Sequence, residues 1–233
     1  MGKRVIILIT AILIIDQIVK VLVKTQMYPH EQIGIIDGFF QLYYIENKGM
    51  AFGTTLGNGV IGKYALSIFR LIAIVGIGYY ISKLLKEKGT PKGMIYAVGL
   101  IFAGAAGNLI DGAVYDYIWE LDPNIAWNYA EDANGSWMIG EDGTPVLRNS
   151  GFLLGSVVDM FQFTARWPSW MPFGLGGEEI FAAIWNIADA AITIGVAMII
   201  LNYRKFFKKE NTEEQETTTN PDEPASSEYS AAQ

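Results

Sequence analysis

Residues 180–203, IFAAIWNIADAAITIGVAMIILNY, are apolar almost throughout and carry one charged side chain, Asp189. About 20 such residues cross ~30 Å of hydrocarbon as a helix, so the stretch reads as a membrane span. Asp189 lies ten residues into it with no basic residue within a helical turn or two. A carboxylate near the bilayer centre costs about 2.5–3.5 kcal/mol on insertion scales. Asp189 is therefore expected to find a polar partner across a helix bundle, to hold a proton, or to face a water-filled cleft. Asn186, three residues earlier, falls on the same helical face and is a candidate to hold the acid or a substrate.

Three further blocks repeat the apolar pattern, at residues 1–22, 66–81 and 94–110, in a chain of 233 residues that is 51% hydrophobic. The sequence thus predicts an all-α membrane protein of four transmembrane helices, with spans about 4–23, 64–83, 93–111 and 180–203. Lys and Arg gather at Lys3 and Arg4, at Lys83, Lys86, Lys88 and Lys92, and at Arg204, Lys205, Lys208 and Lys209. By the positive-inside rule both termini and the loop between spans two and three face the cytoplasm. A removable signal peptide at the N-terminus is disfavoured, because no small-residue cleavage site follows and Asp16 interrupts the apolar run. With no cysteine there is no disulfide framework, thiolate metal site or cysteine nucleophile.

The outer loops, 24–63 and 112–179, carry the remaining ordered structure of a domain spanning 1–209. Residues 39–45, FFQLYYI, predict a short strand or hairpin. The second loop reads as irregular structure with short strands or helices, its glycines and prolines interleaved with aromatics. Tyr115, Tyr117, Trp119, Trp127, Tyr129 and Trp137 suit either the headgroup layer or a small soluble core. Together the loops imply a small β-containing extracytoplasmic cradle with an extended outer loop. Residues 210–233, rich in Glu, Thr, Asn, Ser and Pro, are expected to be a disordered cytoplasmic tail.

The spans hold further polar residues. Asp16 and Lys20 stand four apart on one face of span one and pair directly, either as an anchor or in support of a site. Asp111 closes span three at the outer surface with Asn108 on its face, in a small echo of Asn186 and Asp189. The preceding AGAAG, residues 103–107, lets helices approach closely. Asp159, within SVVDMFQF, is poorly placed as a solvated surface charge. Asp111, Asp159 and Asp189 are thus candidates to converge at the outer interface. Two carboxylates that share a proton titrate apart, leaving one acid and one base to activate water and protonate a leaving amine. No Ser-Lys, Ser-His or Cys-His arrangement competes: the only histidine, His30, reads as a surface residue, and no zincin motif is present. Two other readings are a small transporter whose buried acids bind protons or cations, and an assembly protein whose polar groups glue helices together. The first lacks a broken-helix repeat.

These residues together resemble the lipoprotein signal peptidase family, signal peptidase II. Asp16-Gln-Ile-Val-Lys20 is similar to the family's first-span acid and lysine, and Glu46-Asn47-Lys48-Gly49-Met50-Ala51-Phe52-Gly53 to its outer-loop element. Gly107-Asn108-Leu109-Ile110-Asp111 is similar to its third-span signature. Val157-Val158-Asp159-Met160 and Trp185-Asn186-Ile187-Ala188-Asp189 resemble its two catalytic segments. The resemblance implies an aspartyl endopeptidase without metal or other cofactor, with Asp159 and Asp189 as a catalytic dyad. Asp16, Lys20, Asn47, Gly49, Asn108, Asp111 and Asn186 would bind substrate or support the site. Its substrates would be prolipoproteins, cut before a diacylglyceryl-modified cysteine. It further implies a monomer of the bacterial inner membrane, in contact with lipid and not with nucleic acid, with its site at the periplasmic face. Two departures stand out. Gly112 occupies the place where the family usually has arginine, so Arg148 or Arg166 is expected to balance Asp111. The segment between Asp111 and Asp159 is also longer than usual, and is expected to form a lid or cradle over the substrate.

Overall fold

The computed structural model describes residues 1–47, 60–119, 121–132, 134–148 and 151–207. Its elements run α1 (Gly2–Gln26), β1 (Gln32–Ile36), β2 (Phe40–Asn47), α2 (Val60–Lys86), α3 (Lys92–Ile118), β3 (Val157–Phe163), β4 (Ile184–Trp185), α4 (Ile187–Leu201) and α5 (Tyr203–Phe206). Gly49 and the tail 210–233 lie outside the described residues.

The long helices are built inside out relative to a water-soluble bundle. On α1, Ile6, Ile7, Ile14, Ile15 and Ile18 are exposed while Asp16, Lys20 and Lys24 are buried. Aliphatic side chains turned outward cost nothing in lipid, whereas a charge there must turn inward to find partners. Among the described residues three stretches are long and apolar enough to cross a membrane: Gly2–Gln26, Ile61–Lys86 and Lys92–Asp116. Helix α3 lies at the centre and packs against α1, α2 and α4. Its small residues allow this. A Cβ added at Gly104 would stand 2.2 Å from the Ala188 carbonyl oxygen, and one at Gly107 2.7 Å from Asp16 Oδ2.

Two boundaries differ from the sequence-based expectation. The fourth apolar block is not helical from residue 180. Ile184 and Trp185 pair with Gln162 and Phe161 as an edge strand, and the helix begins only after Asn186. Asp189 therefore sits in the first turn of α4, not in the middle of a span. Helix α3 in turn runs seven residues past Asp111, to Ile118. Tyr115 packs in the core there and Asp116 pairs with Arg148, so Asp111 is enclosed about two turns before the helix ends.

The strands form one antiparallel sheet in the order β1-β2-β3-β4. Strand β2 holds the aromatic run predicted to be a strand. It pairs with β3 so that Ile45 stands opposite Asp159, and Asn47 opposite Val157. Val23, Met27, Tyr44, Tyr115, Val158 and Met160 form the core that seats the sheet on α1 and α3. At the other end of the bundle Val5, Ile81, Leu84, Met94, Ile95 and Phe206 pack together.

Candidate active site

Asn186 is the residue from which the site is built. As N-cap of α4 its side chain accepts from the Asp189 backbone N–H at 2.9 Å, and the Asp189 carboxylate accepts from the Asn186 N–H at 3.3 Å, a reciprocal capping box. Its Nδ2 donates to Asp159 Oδ1 at 2.6 Å. Asp159 on β3 and Asp189 on α4, thirty residues apart, are thus both hydrogen-bonded to one residue.

Asn108, one helix away, continues the chain. Its Oδ1 accepts from Lys20 Nζ at 2.9 Å and from Asn186 Nδ2 at 3.1 Å, while its Nδ2 donates to Asp189 Oδ1 at 2.8 Å. Two donors on the oxygen fix the orientation of the amide, so its nitrogen is the end presented to Asp189. Lys20 is fully buried and spends its other donors on Asp16 at 3.0 Å and Asp111 at 2.7 Å. Gln17 donates to Asp111 Oδ1 at 2.9 Å and accepts from the Tyr115 hydroxyl at 3.0 Å. Asp16 accepts from the Ala188 N–H at 2.9 Å, which ties α1 to the first turn of α4.

The two carboxylates have different surroundings. Asp159 is buried in the sheet and also accepts from Asn47 Nδ2 at 3.0 Å. Burial, and after it the negative charge of Asp189, push its carboxyl up to about 7; Asn47, Lys20 and Asn186 pull the other way. Asp189 lines an open cleft of about 260 Å³ with Phe163, Phe181, Trp185, Ala190, Thr193 and Ile194. The arrangement offers one carboxyl able to carry a proton at neutral pH and a second at the mouth of an apolar groove, as acid–base hydrolysis requires.

Residues 8–205 match the family model described as Signal peptidase (SPase) II. The chain belongs to the signal peptidase II family. It is 34% identical to the lipoprotein signal peptidase of Porphyromonas gingivalis (strain ATCC 33277), over 87% of this chain and 83% of that protein. Against the lipoprotein signal peptidase of Amoebophilus asiaticus (strain 5a2) the identity is also 34%, over 82% of this chain and 73% of the relative. Two solved structures of bacterial membrane enzymes share the fold. One has a TM-score of 0.52 and 24% identity, covering 92% of this chain and 94% of its own; the other 0.55 and 23%, covering 87% and 94%.

Seen as a member of signal peptidase II, the chain brings Asp16, Lys20, Asn47, Asn108, Asp111, Asn186, Asp159 and Asp189 into one hydrogen-bonded cluster. The expected substitute for the missing arginine is corrected. Asp111 is paired with Lys20, whereas Arg148 pairs with Glu46 at 2.9 Å and Asp116 at 2.8 Å, and Arg166 with Glu179. Two residues escaped sequence reasoning. Gln17 is one; its place beside Asp16 on a helix gives no sign that it reaches α3. Arg70 is the other. It lies inside α2, within electrostatic reach of Asp189, Asp111 and Asp159, and no ion pair holds it among the described residues. A lone arginine in an apolar span was a readable signal.

The segment after α3, expected from its length to form a lid or cradle, contacts α1 and β2, and among the described residues none of 112–148 lines the cleft. Lys24 pairs with Glu46 and lies 5.3 Å from the ring centroids of both Trp119 and Trp127, and His30 meets Glu131 at 3.1 Å. Tyr115 is buried, and Tyr129 packs edge-on against Trp137, which stays 48% exposed. Among the described residues the cleft is lined by β3, β4 and α4, with Phe181 from the loop that precedes β4.

Proposed function

We propose that this protein is an aspartyl endopeptidase that removes signal peptides from prolipoproteins by cleaving before the diacylglyceryl-modified cysteine. The observation that carries the proposal is the joining of Asp159 and Asp189 through Asn186 at the mouth of the apolar cleft. In this reading Asp189 takes a proton from water as the oxygen attacks the scissile carbonyl carbon, and Asp159 gives its proton to the carbonyl oxygen. As the tetrahedral diol collapses the C–N bond breaks, one diol hydroxyl returns its proton to Asp159, and the proton held on Asp189 passes to the leaving amine. Asn47, Asn108 and Asn186 hold the two carboxylates in place, and Lys20, paired with Asp16 and Asp111, holds Asn108. The groove beside Asp189 accepts the acylated segment laterally from lipid.

The proposal includes the setting. Helices α4 and α5, separated only by Asn202, together cover 20 residues, or about 30 Å, and serve as the fourth span of a 1–209 domain. Both termini face the cytoplasm and the sheet faces the periplasm of a bacterial inner membrane, where the protein acts as a monomer. The test is cleavage of a purified diacylglyceryl-modified precursor by the purified protein in the presence of a chelator, read by mass spectrometry of both products. Cleavage directly before the lipidated cysteine supports the proposal. Cleavage elsewhere, or only after metal is restored, contradicts it.

A further inference from the structure

Residues 164–183, between β3 and β4, form an ordered excursion that is apolar and uncharged from Trp167 to Gly177. Its arms are fastened. The Ile180 N–H donates to the Ala165 carbonyl at 2.9 Å, the Trp167 N–H to Glu178 at 2.9 Å and the Gly177 N–H to Trp167 at 3.0 Å. Arg166 reaches across to the Gly177 carbonyl at 3.0 Å. The tip turns back through Phe173 and Gly174, with φ of 65° and 74°, and packs so closely that a Cβ at Gly176 would stand 2.6 Å from the Ser169 carbonyl oxygen.

This ordered tip leaves its largest apolar side chains uncovered. Trp170 is 76% exposed and Phe173 94%. Phe173 also holds a left-handed backbone conformation, unfavourable for a bulky residue. A rigid loop that turns tryptophan and phenylalanine outward, with no charge among them, has the composition of an interfacial anchor. Beyond Arg166, Glu178 and Glu179 in its arms, the base of the excursion adjoins the apolar cleft. The base packs Phe181 against Phe163 at 6.2 Å between ring centroids, and Phe163 against Trp185 at 5.7 Å. Those three rings line the cleft that continues down α4 to Thr193 and Ile194. The other excursion, at 129–147, carries Glu131, Asp132, Glu141 and Asp142, a composition suited to water.

We infer that the 164–183 excursion seats its tip, through Trp170 and Phe173, in the headgroup and upper acyl region of the outer leaflet beside α4. The bilayer surface is the partner, and the seated loop borders the lipid side of the cleft. This goes beyond the proposed peptidase activity and rests on the membrane-spanning reading.

The natural chain has no cysteine, so single labelling sites are simple to introduce. Spin labels are placed at Trp170→Cys and, separately, Phe173→Cys, with Glu141→Cys as an aqueous reference and Ile200→Cys on α4 as a lipid reference. Each protein is reconstituted into phosphatidylethanolamine–phosphatidylglycerol bilayers, and collision rates with oxygen and a water-soluble nickel chelate are compared. The ratio of oxygen to nickel collisions is expected to be several-fold higher at 170 and 173 than at 141, approaching that at 200. Ratios equal to that at 141 overturn the inference, as does shielding from both agents, which assigns the tip to a protein partner. Lipid exposure that appears only when a lipidated precursor is added also overturns it, by making the tip part of substrate binding. A label at 200 that fails to reach lipid contradicts the membrane-spanning reading instead.

Discussion

Lys20 and Arg148 each lie buried between two carboxylates, Lys20 between Asp16 and Asp111, Arg148 between Glu46 and Asp116. The resemblance ends at the charge count. Around Arg148 the second cation, Lys24, pairs with Glu46, so two positive groups meet two negative ones and the cluster is neutral. Around Lys20 one paired cation serves Asp16 and Asp111 directly, and through Asn108 the pair Asp159 and Asp189 as well. A balanced cluster settles into fixed ion pairs and supports structure. An unbalanced one must retain protons, and a retained proton beside an open cleft is available for chemistry.

The comparison is broken most severely by Lys20→Met. Removing one partner of a buried ion pair costs about 3–5 kcal/mol. Processing of a lipidated precursor is expected to disappear and the melting temperature in detergent to fall; an active variant would show that the cluster does not depend on its cation. Arg148→Met should cost stability on the same scale, about 3 kcal/mol. The fraction that stays folded is expected to keep the wild-type pH profile of cleavage, because Arg148 touches neither Asp159 nor Asp189. A displaced profile would join the two clusters functionally.

Smaller changes sharpen the contrast. Arg70→Gln removes a cation within electrostatic reach of the three aspartates. It should lower kcat/KM about tenfold, the effect of roughly 1.4 kcal/mol, with an unchanged melting temperature. Asn47→Ala removes a hydrogen bond that favours the ionised form of Asp159. Its carboxyl then keeps its proton to higher pH. The alkaline limb of activity, where that proton is lost above about 7 in the natural chain, should move up by about half a unit to one unit. A limb that stays in place or moves down contradicts the assignment of the proton to Asp159.

Much of the inner cluster was legible because charge inside an apolar run is conspicuous. Asp16, Lys20, Asp111, Asp159 and Asp189 announce themselves in this way, and the small residues before Asn108 announce the close packing of α3 and α4. Helix ends were less legible. Hydropathy does not distinguish an edge strand from the start of a span, so Ile184 and Trp185 read as helix until their pairing with β3 is seen. Depth misled for the same reason: Asp189 looked central to a span and is a capping residue. The outer cluster was less legible: Arg148 was expected to balance Asp111, and nothing in the sequence pairs it with Glu46 and Asp116, or Lys24 with Glu46, until the long segment after α3 folds back onto α1 and β2. Nor did composition alone tell the acidic excursion, docked through that cluster, from the aromatic one that borders the cleft.

The most direct measurement is processing of a purified diacylglyceryl-modified precursor by Asp159→Asn and by Asp189→Asn, with helicity and melting temperature recorded for each. Both substitutions are expected to give folded proteins that yield no detectable product. Cleavage near the wild-type rate by either variant would contradict the catalytic dyad.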